Sequence, residues 1–140
     1  NWHTPTAQRP KTCYLIRVKG TPLQMRKIES QMCAAVQSNR NWSSGNTTVH
    51  FNAENNEVLV RLHGNLIAVI DEDSMTLKDG GWQSNTTKSR LNALCDEFCN
   101  FPGEGVFQSD WVWYVRKCVG MINGKRCFKN IEFGDGYTFA

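Results

Sequence analysis

Between Thr47 and Lys78 the apolar side chains recur at every second residue, and short polar turns interrupt them at close intervals. In TTVHFN, Thr47, Val49 and Phe51 stand against Thr48, His50 and Asn52; in EVLVRLH, Val58, Val60 and Leu62 stand against Leu59, Arg61 and His63. A period of two sends alternate side chains to opposite faces of an extended chain, so each segment is expected as a strand with one apolar face. LIAVI and SMTLK continue the series. The intervening turns, Asn55-Asn56, Gly64-Asn65 and the acidic Asp71 to Asp73, suit tight reversals. A four-stranded antiparallel meander is the expected result.

Helical spacing frames this region. Thr21-Pro22-Leu23-Gln24 reads as a capping box with proline at the first helical position, predicting a helix from Pro22 to about Asn39. Met25, Ile28, Met32, Ala35 and Val36 fall on its buried face and Arg26, Glu29, Ser30 and Gln37 on its solvent face. A second helix should open within Ser84 to Thr87, all competent caps, and run to about Cys99, burying Leu91, Leu94, Cys95 and Phe98. CYLIRV, Cys13 to Val18, reads as an early strand. VFQSDWVWYVRK, CFKNIEF and YTFA read as late ones, with Asn123-Gly124 centring a hairpin. Residues 1–24 are taken as an arm and 25–140 as one α+β domain, an antiparallel sheet of about five to seven strands with two helices packed on it.

The 140 residues carry 16 Lys and Arg against 13 Asp and Glu, a net +3 that leaves nucleic acid open without announcing it. No apolar run approaches the ~20 residues of a membrane span, and NWHTPTAQRP lacks the order of a signal peptide. Three glycosylation triplets, at Asn41, Asn46 and Asn85, favour an oxidised setting. Against it, Cys95 and Cys99 lie four apart on a helix, where a disulfide would be strained. A reduced interior is the favoured reading over a secreted, disulfide-linked domain.

If Asn123-Gly124 is a two-residue turn, Cys118 and Cys127 share a face as diagonal neighbours, too far apart to bridge comfortably. Together with Cys95 and Cys99 they form a candidate structural zinc site of four thiolates. The competing reading keeps Cys95 in the buried stripe and the others as unpaired thiols, with Cys13 and Cys33 in the core and no cofactor at all. No catalytic fingerprint is present. The histidines are His3, His50 and His63, the last two able to meet across the sheet if their strands pair. Neither they nor the carboxylates have an environment that suits acid–base chemistry, so binding is expected over catalysis.

The block GGWQSNTTKSRLN, Gly80 to Asn92, is too polar for core and too rich in hydrogen-bonding groups for an ordinary turn. Its glycines allow close backbone approach, and its hydroxyls open a helix whose free N–H groups suit an anion. Lys88 and Arg90 place positive charge near a positive helix end, a conflict that a phosphate would relieve. Trp82 offers a stacking face, Thr86 and Thr87 donors, and Asn92 a group able to read a base edge. Arg61 and His63 are expected to contribute from neighbouring strands. The alternative is that Trp82 covers a sheet edge, the hydroxyls only cap, and both cations are solvated.

MRKIESQM from Met25, NWSSGNTTV, RLHGNLIAVI, GGWQSNTTKSRLNAL and FGDGYTFA together resemble a family of small proteins of tailed phages and related viruses that carries no assigned activity. The likeness covers Met25 to Ala140, is most specific in the Gly-Trp to Arg-Leu-Asn block, and makes Met25 the expected start. Residues 1–24 lie outside its pattern, and the Cys118 to Cys127 hairpin looks like a local elaboration. The resemblance implies a protein of the host cytoplasm engaged in host takeover or counter-defence, where small phage proteins sequester nucleotide signals. With the quoted block, it yields the expectation of a non-enzymatic protein binding a nucleotide or nucleic acid, without a membrane. A virion or assembly protein that oligomerises through its arm, or that contacts a host protein, is the second expectation. A zinc-stabilised or disulfide-linked domain is the third.

Overall fold

A computed structural model describes residues 26–140. The arm, the expected strand at Cys13 to Val18 and the capping box at Thr21 lie outside the described residues. Helix α1 spans Lys27–Gln37, and strands β1 (Trp42–Ser44), β2 (Thr47–Asn52), β3 (Glu57–Leu62), β4 (Asn65–Ile70) and β5 (Met75–Leu77) follow. Helix α2 (Asn85–Phe98) leads to β6 (Gly105–Ser109), β7 (Val112–Ile122), β8 (Lys125–Glu132) and β9 (Tyr137–Phe139).

The meander forms as its alternation predicts, with Val58, Val60 and Leu62 of β3 buried and its other three residues half-buried. Its second turn, expected at Gly64-Asn65, differs by one residue. Leu62 pairs with Asn65, so His63 and Gly64 make the two-residue loop, with φ of 52° and 79°. Two consecutive positive values are what a type I′ hairpin requires. The register also separates the histidines: His50 faces Leu59, while the His63 N–H donates to the Asn46 carbonyl at 2.7 Å.

One antiparallel sheet was the expectation; the described residues build two, ordered β1-β2-β3-β4-β5-β9 and β6-β7-β8. The segment read as a single strand from Val106 to Lys117 reverses at Asp110 and Trp111, with φ of 50° and 69°, so Ser109 pairs with Val112. The last strand then leaves β8 and returns to β5. Gly136 permits that return, because a Cβ there would lie 2.5 Å from the Leu77 carbonyl oxygen.

Both sheets contribute to one core. Met32 and Val36 of α1, Val60 and Ile70 of the first sheet, Leu91 and Leu94 of α2, and Trp113, Val115 and Phe133 at the second sheet belong to the same buried cluster. α1 packs on α2, β1 and β2, and α2 reaches both β4 and β6. Because α2 touches both sheets, its side chains fix how they meet. No helix among the described residues is long and apolar enough to cross a membrane.

Candidate functional site

The Gly80 to Asn92 block divides into groups that hold the fold and groups that face solvent. Gly80, at φ 70°, sits against β4, where a Cβ would come within 3.0 Å of the Asn65 Cβ. Ser84 caps α2, its Oγ accepting from the Thr87 N–H at 3.1 Å. Thr87 is itself buried and its hydroxyl donates to the Trp82 carbonyl at 3.3 Å. These hydroxyls are occupied in starting the helix.

Arg90 is neither solvated nor turned toward a ligand. Only 3% exposed, its guanidinium donates to Glu29 Oε2 at 2.7 Å, Thr47 Oγ1 at 3.1 Å and Asn46 Oδ1 at 3.3 Å. Glu29, expected on the outer face of α1, is also buried, and it accepts a further bond from the Ser89 hydroxyl at 2.6 Å. A buried ion pair is tolerated when the groups around it are hydrogen-bonded; here all three guanidinium nitrogens donate and both Glu29 carboxylate oxygens accept. The charge conflict in the first turns of α2 is resolved inside the protein, between the two helices and the start of β2.

Asn92 is likewise structural. Its amide donates to the Val106 carbonyl at 2.8 Å and accepts the Val106 N–H at 2.7 Å. Val106 lies on β6, the edge strand, so one side chain substitutes for a missing strand at that position. Gly105 accommodates this contact, since a Cβ there would lie 2.6 Å from Asn92 Oδ1. Lys88 reaches Gln108 Oε1 at 3.4 Å. Arg61 sits half-buried in β3 beside a register shift. What remains together is a recess of about 140 Å³ lined by His63, Trp82, Thr86 and Thr87 among others, with Trp82 71% exposed at its rim. Arg61, Lys88, Arg90 and Asn92 do not line it.

The four thiols are not gathered either. A register shift between Cys118 and Gly120 leaves Cys118 opposite Phe128 and Gly120 opposite Cys127. Neighbouring residues of β8 point to opposite faces, so the bulge moves Cys118 and Cys127 from a shared face to opposite ones. Cys95 and Cys99 are buried. A hydrogen bond from Cys95, together with burial, pushes the Cys99 thiol up, and burial does the same to Cys33. Thiols raised in this way pack as small hydrophobes. Among the described residues no three His, Cys, Asp or Glu side chains are placed to hold a metal ion.

A second concavity, of about 710 Å³, lies between α2 and the outward face of the second sheet. Phe107, Arg116, Phe128 and Asn130 line its sheet side, and Asn92, Asp96 and Glu104 line the other. Register explains the grouping. Phe107 faces Tyr114, Arg116 faces Asn130 and Cys118 faces Phe128, so these residues share one face at successive rungs. The Phe107 and Tyr114 rings stack with centroids 5.5 Å apart, and the Arg116 guanidinium lies 4.1 Å over the Phe128 ring. Gly103 makes room for that ring, since a Cβ there would lie 2.9 Å from its Cζ. Glu104 is buried, its Oε2 accepting from Lys117 Nζ at 2.8 Å and from the Cys118 N–H at 2.9 Å. Sequence reasoning did not single out this aromatic and cationic stripe. The signal was the alternation of Phe107 with Gly105 and of Tyr114 with Arg116, hidden once the two strands were read as one.

The sequence pattern described as Kyanoviridae Gp96 protein matches residues 25–140. No curated protein and no solved structure matches the chain.

Proposed function

The chain belongs to the Kyanoviridae Gp96 family of phage proteins, and from that premise we propose that it is a non-enzymatic binding protein for a phosphate-bearing ligand, a nucleotide or nucleic acid, used in host takeover or counter-defence. The ligand's base lies on the outer face of the β6-β7-β8 sheet. The observation that carries this reading is the stripe in which Phe107, Arg116 and Phe128 line an open cleft of about 710 Å³, with Tyr114 stacked on Phe107 beside it. Half-buried rings on the solvent side of a sheet keep one π-face available, and base stacking on such rings contributes ~1–3 kcal/mol per base. Arg116, exposed at the rim, supplies charge for a phosphate. On the helix side, Asp96 and Glu104 disfavour phosphate, which directs the base inward and the backbone toward the arginine.

The reading moves the centre of the expected site from the start of α2 to the sheet that α2 supports. Thermal shift and fluorescence titration with mononucleotides and short oligonucleotides test it. Tyr114→Ala and Phe128→Ala should each weaken binding at least about fivefold, the low end of one lost stacking contact. Binding unchanged in both variants, or no binding of any nucleotide or oligonucleotide, rejects it.

A further inference from the structure

The cleft does not end at Phe128. β7 and β8 continue past it as a two-stranded ribbon to the Asn123-Gly124 turn, with Ile122 paired to Lys125 and Met121 to Arg126. Residues 112–132 hold five of the chain's 16 Lys and Arg and only one of its 13 Asp and Glu. That stretch is therefore +4, by five less one, while the whole chain is +3, so the rest sums to −1. The excess positive charge of this protein resides in β7 and β8, with Arg116 and Arg126 on the face that carries Phe128.

The ribbon's end is also apolar and open. Val119 is 59% exposed, Met121 57% and Ile122 63%. β8 is regular through the bulge of its partner, so Arg126, Phe128 and Asn130 follow one another on one face at every second residue. With Met121 opposite Arg126, the face that begins at Phe107 and Tyr114 runs on through Arg116 and Phe128 to Arg126 and Met121. Aromatic and cationic groups interleave along it over roughly 20 Å, at ~3.3 Å per residue from Glu132 to Arg126 of β8.

Resting on the function proposed above, we infer that the ligand is a polymer, a single-stranded nucleic acid lying along this face from the cleft to the ribbon tip. A mononucleotide would engage the cleft and leave Arg126 and Met121 unused. A duplex keeps its bases stacked on one another, so it cannot present them to Phe107, Tyr114 and Phe128. A single strand offers both unstacked bases and a phosphate at each step. Charge complementarity to the ribbon supports this occupant over an apolar protein partner.

The test is fluorescence anisotropy on the full chain with labelled dT and rU oligomers of two to sixteen nucleotides, at several salt concentrations. Affinity should rise at least tenfold between two and eight nucleotides, and duplex of equal length should compete at least tenfold less well. Arg126→Ala, on the exposed ribbon and on the same face as Phe128, should lower the long oligomer's affinity and reduce the log–log salt slope by about 0.7, the value of one contact. The same variant should leave dinucleotide binding unchanged. Preference for dT or rU distinguishes a DNA from an RNA strand. Binding of a mononucleotide with no gain in length, or equal binding of duplex, overturns the polymer inference while leaving the cleft reading standing. Oligomer binding that Tyr114→Ala and Phe128→Ala both leave unchanged overturns both. A dimer abolished by Met121→Ser with Ile122→Ser, with oligomer affinity unchanged, would assign the tip to self-association and also overturn the inference.

Discussion

Arg90 shows how one side chain can hold several elements at once. Its guanidinium joins α2 to α1 through Glu29 and to the first hairpin through Asn46 and Thr47. The ion-pair side chains are each 4% exposed, so the attraction is little screened. Removing the cation strands a buried carboxylate, which costs about 3–5 kcal/mol. Arg90→Ala should therefore lower the unfolding free energy in urea by that order, whereas Lys88→Ala should change it by less than about 0.5 kcal/mol. Equal, small effects in the two variants would mean that the network does not hold the helices. The sequence made half of this legible. A cation near a positive helix end is a visible conflict, but its resolution lies 61 residues away in Glu29. Helical spacing assigns Glu29 to solvent, because period alone cannot anticipate a charge buried for the sake of a partner.

At the scale of elements, the meander, the second helix with its Ser84 cap and the Asn123-Gly124 turn were legible from period, cap and turn chemistry. The first helix, expected from Pro22, begins instead at Lys27 with the extended Arg26 as its N-cap. The Asp110-Trp111 reversal was not legible. Neither residue is the glycine that a left-handed turn position favours, and bulky residues there are rare. The same reversal carries a testable consequence. Trp111 is 90% exposed and holds φ 69°, so it contributes little packing while bearing the cost of a strained backbone. Asp110→Asn with Trp111→Gly supplies the favoured type I′ pair and should raise stability in urea by about 1 kcal/mol, the low end of the cost of a non-glycine residue in that region. A loss of stability instead would show that the indole supports the hairpin. The bulge at Val119 was equally hidden, and it alone separates Cys118 from Cys127. One unpaired residue reverses the facing of everything beyond it, which is why a face inferred through a long hairpin is less legible than one inferred within a strand.

Across the whole molecule, the second sheet meets the first at a charge set among rings. Lys117 of β7 donates to Glu104 at 2.8 Å and lies 5.9 Å from the Phe101 ring centre and 5.7 Å from that of Phe139, which belongs to the first sheet. Partial burial alone would pull the ammonium's pKa down. The hydrogen bond and charge of Glu104 outweigh it, and the net shift is upward. A lysine whose pKa is higher folded than unfolded contributes stability that is fully present below its unfolded value and is lost as pH rises through the folded value. The pair should therefore hold through neutral pH and fail only on the alkaline side of the ordinary lysine range. Deprotonation there leaves the buried Glu104 carboxylate with the Cys118 N–H and no cation, at the contact on which both sheets depend. Urea midpoints measured from neutral to strongly alkaline pH should fall more steeply for the native chain than for Lys117→Met, which keeps the apolar stem against the rings and has no proton to lose. Parallel decline of the two would remove Lys117 as the source and leave the junction to apolar packing.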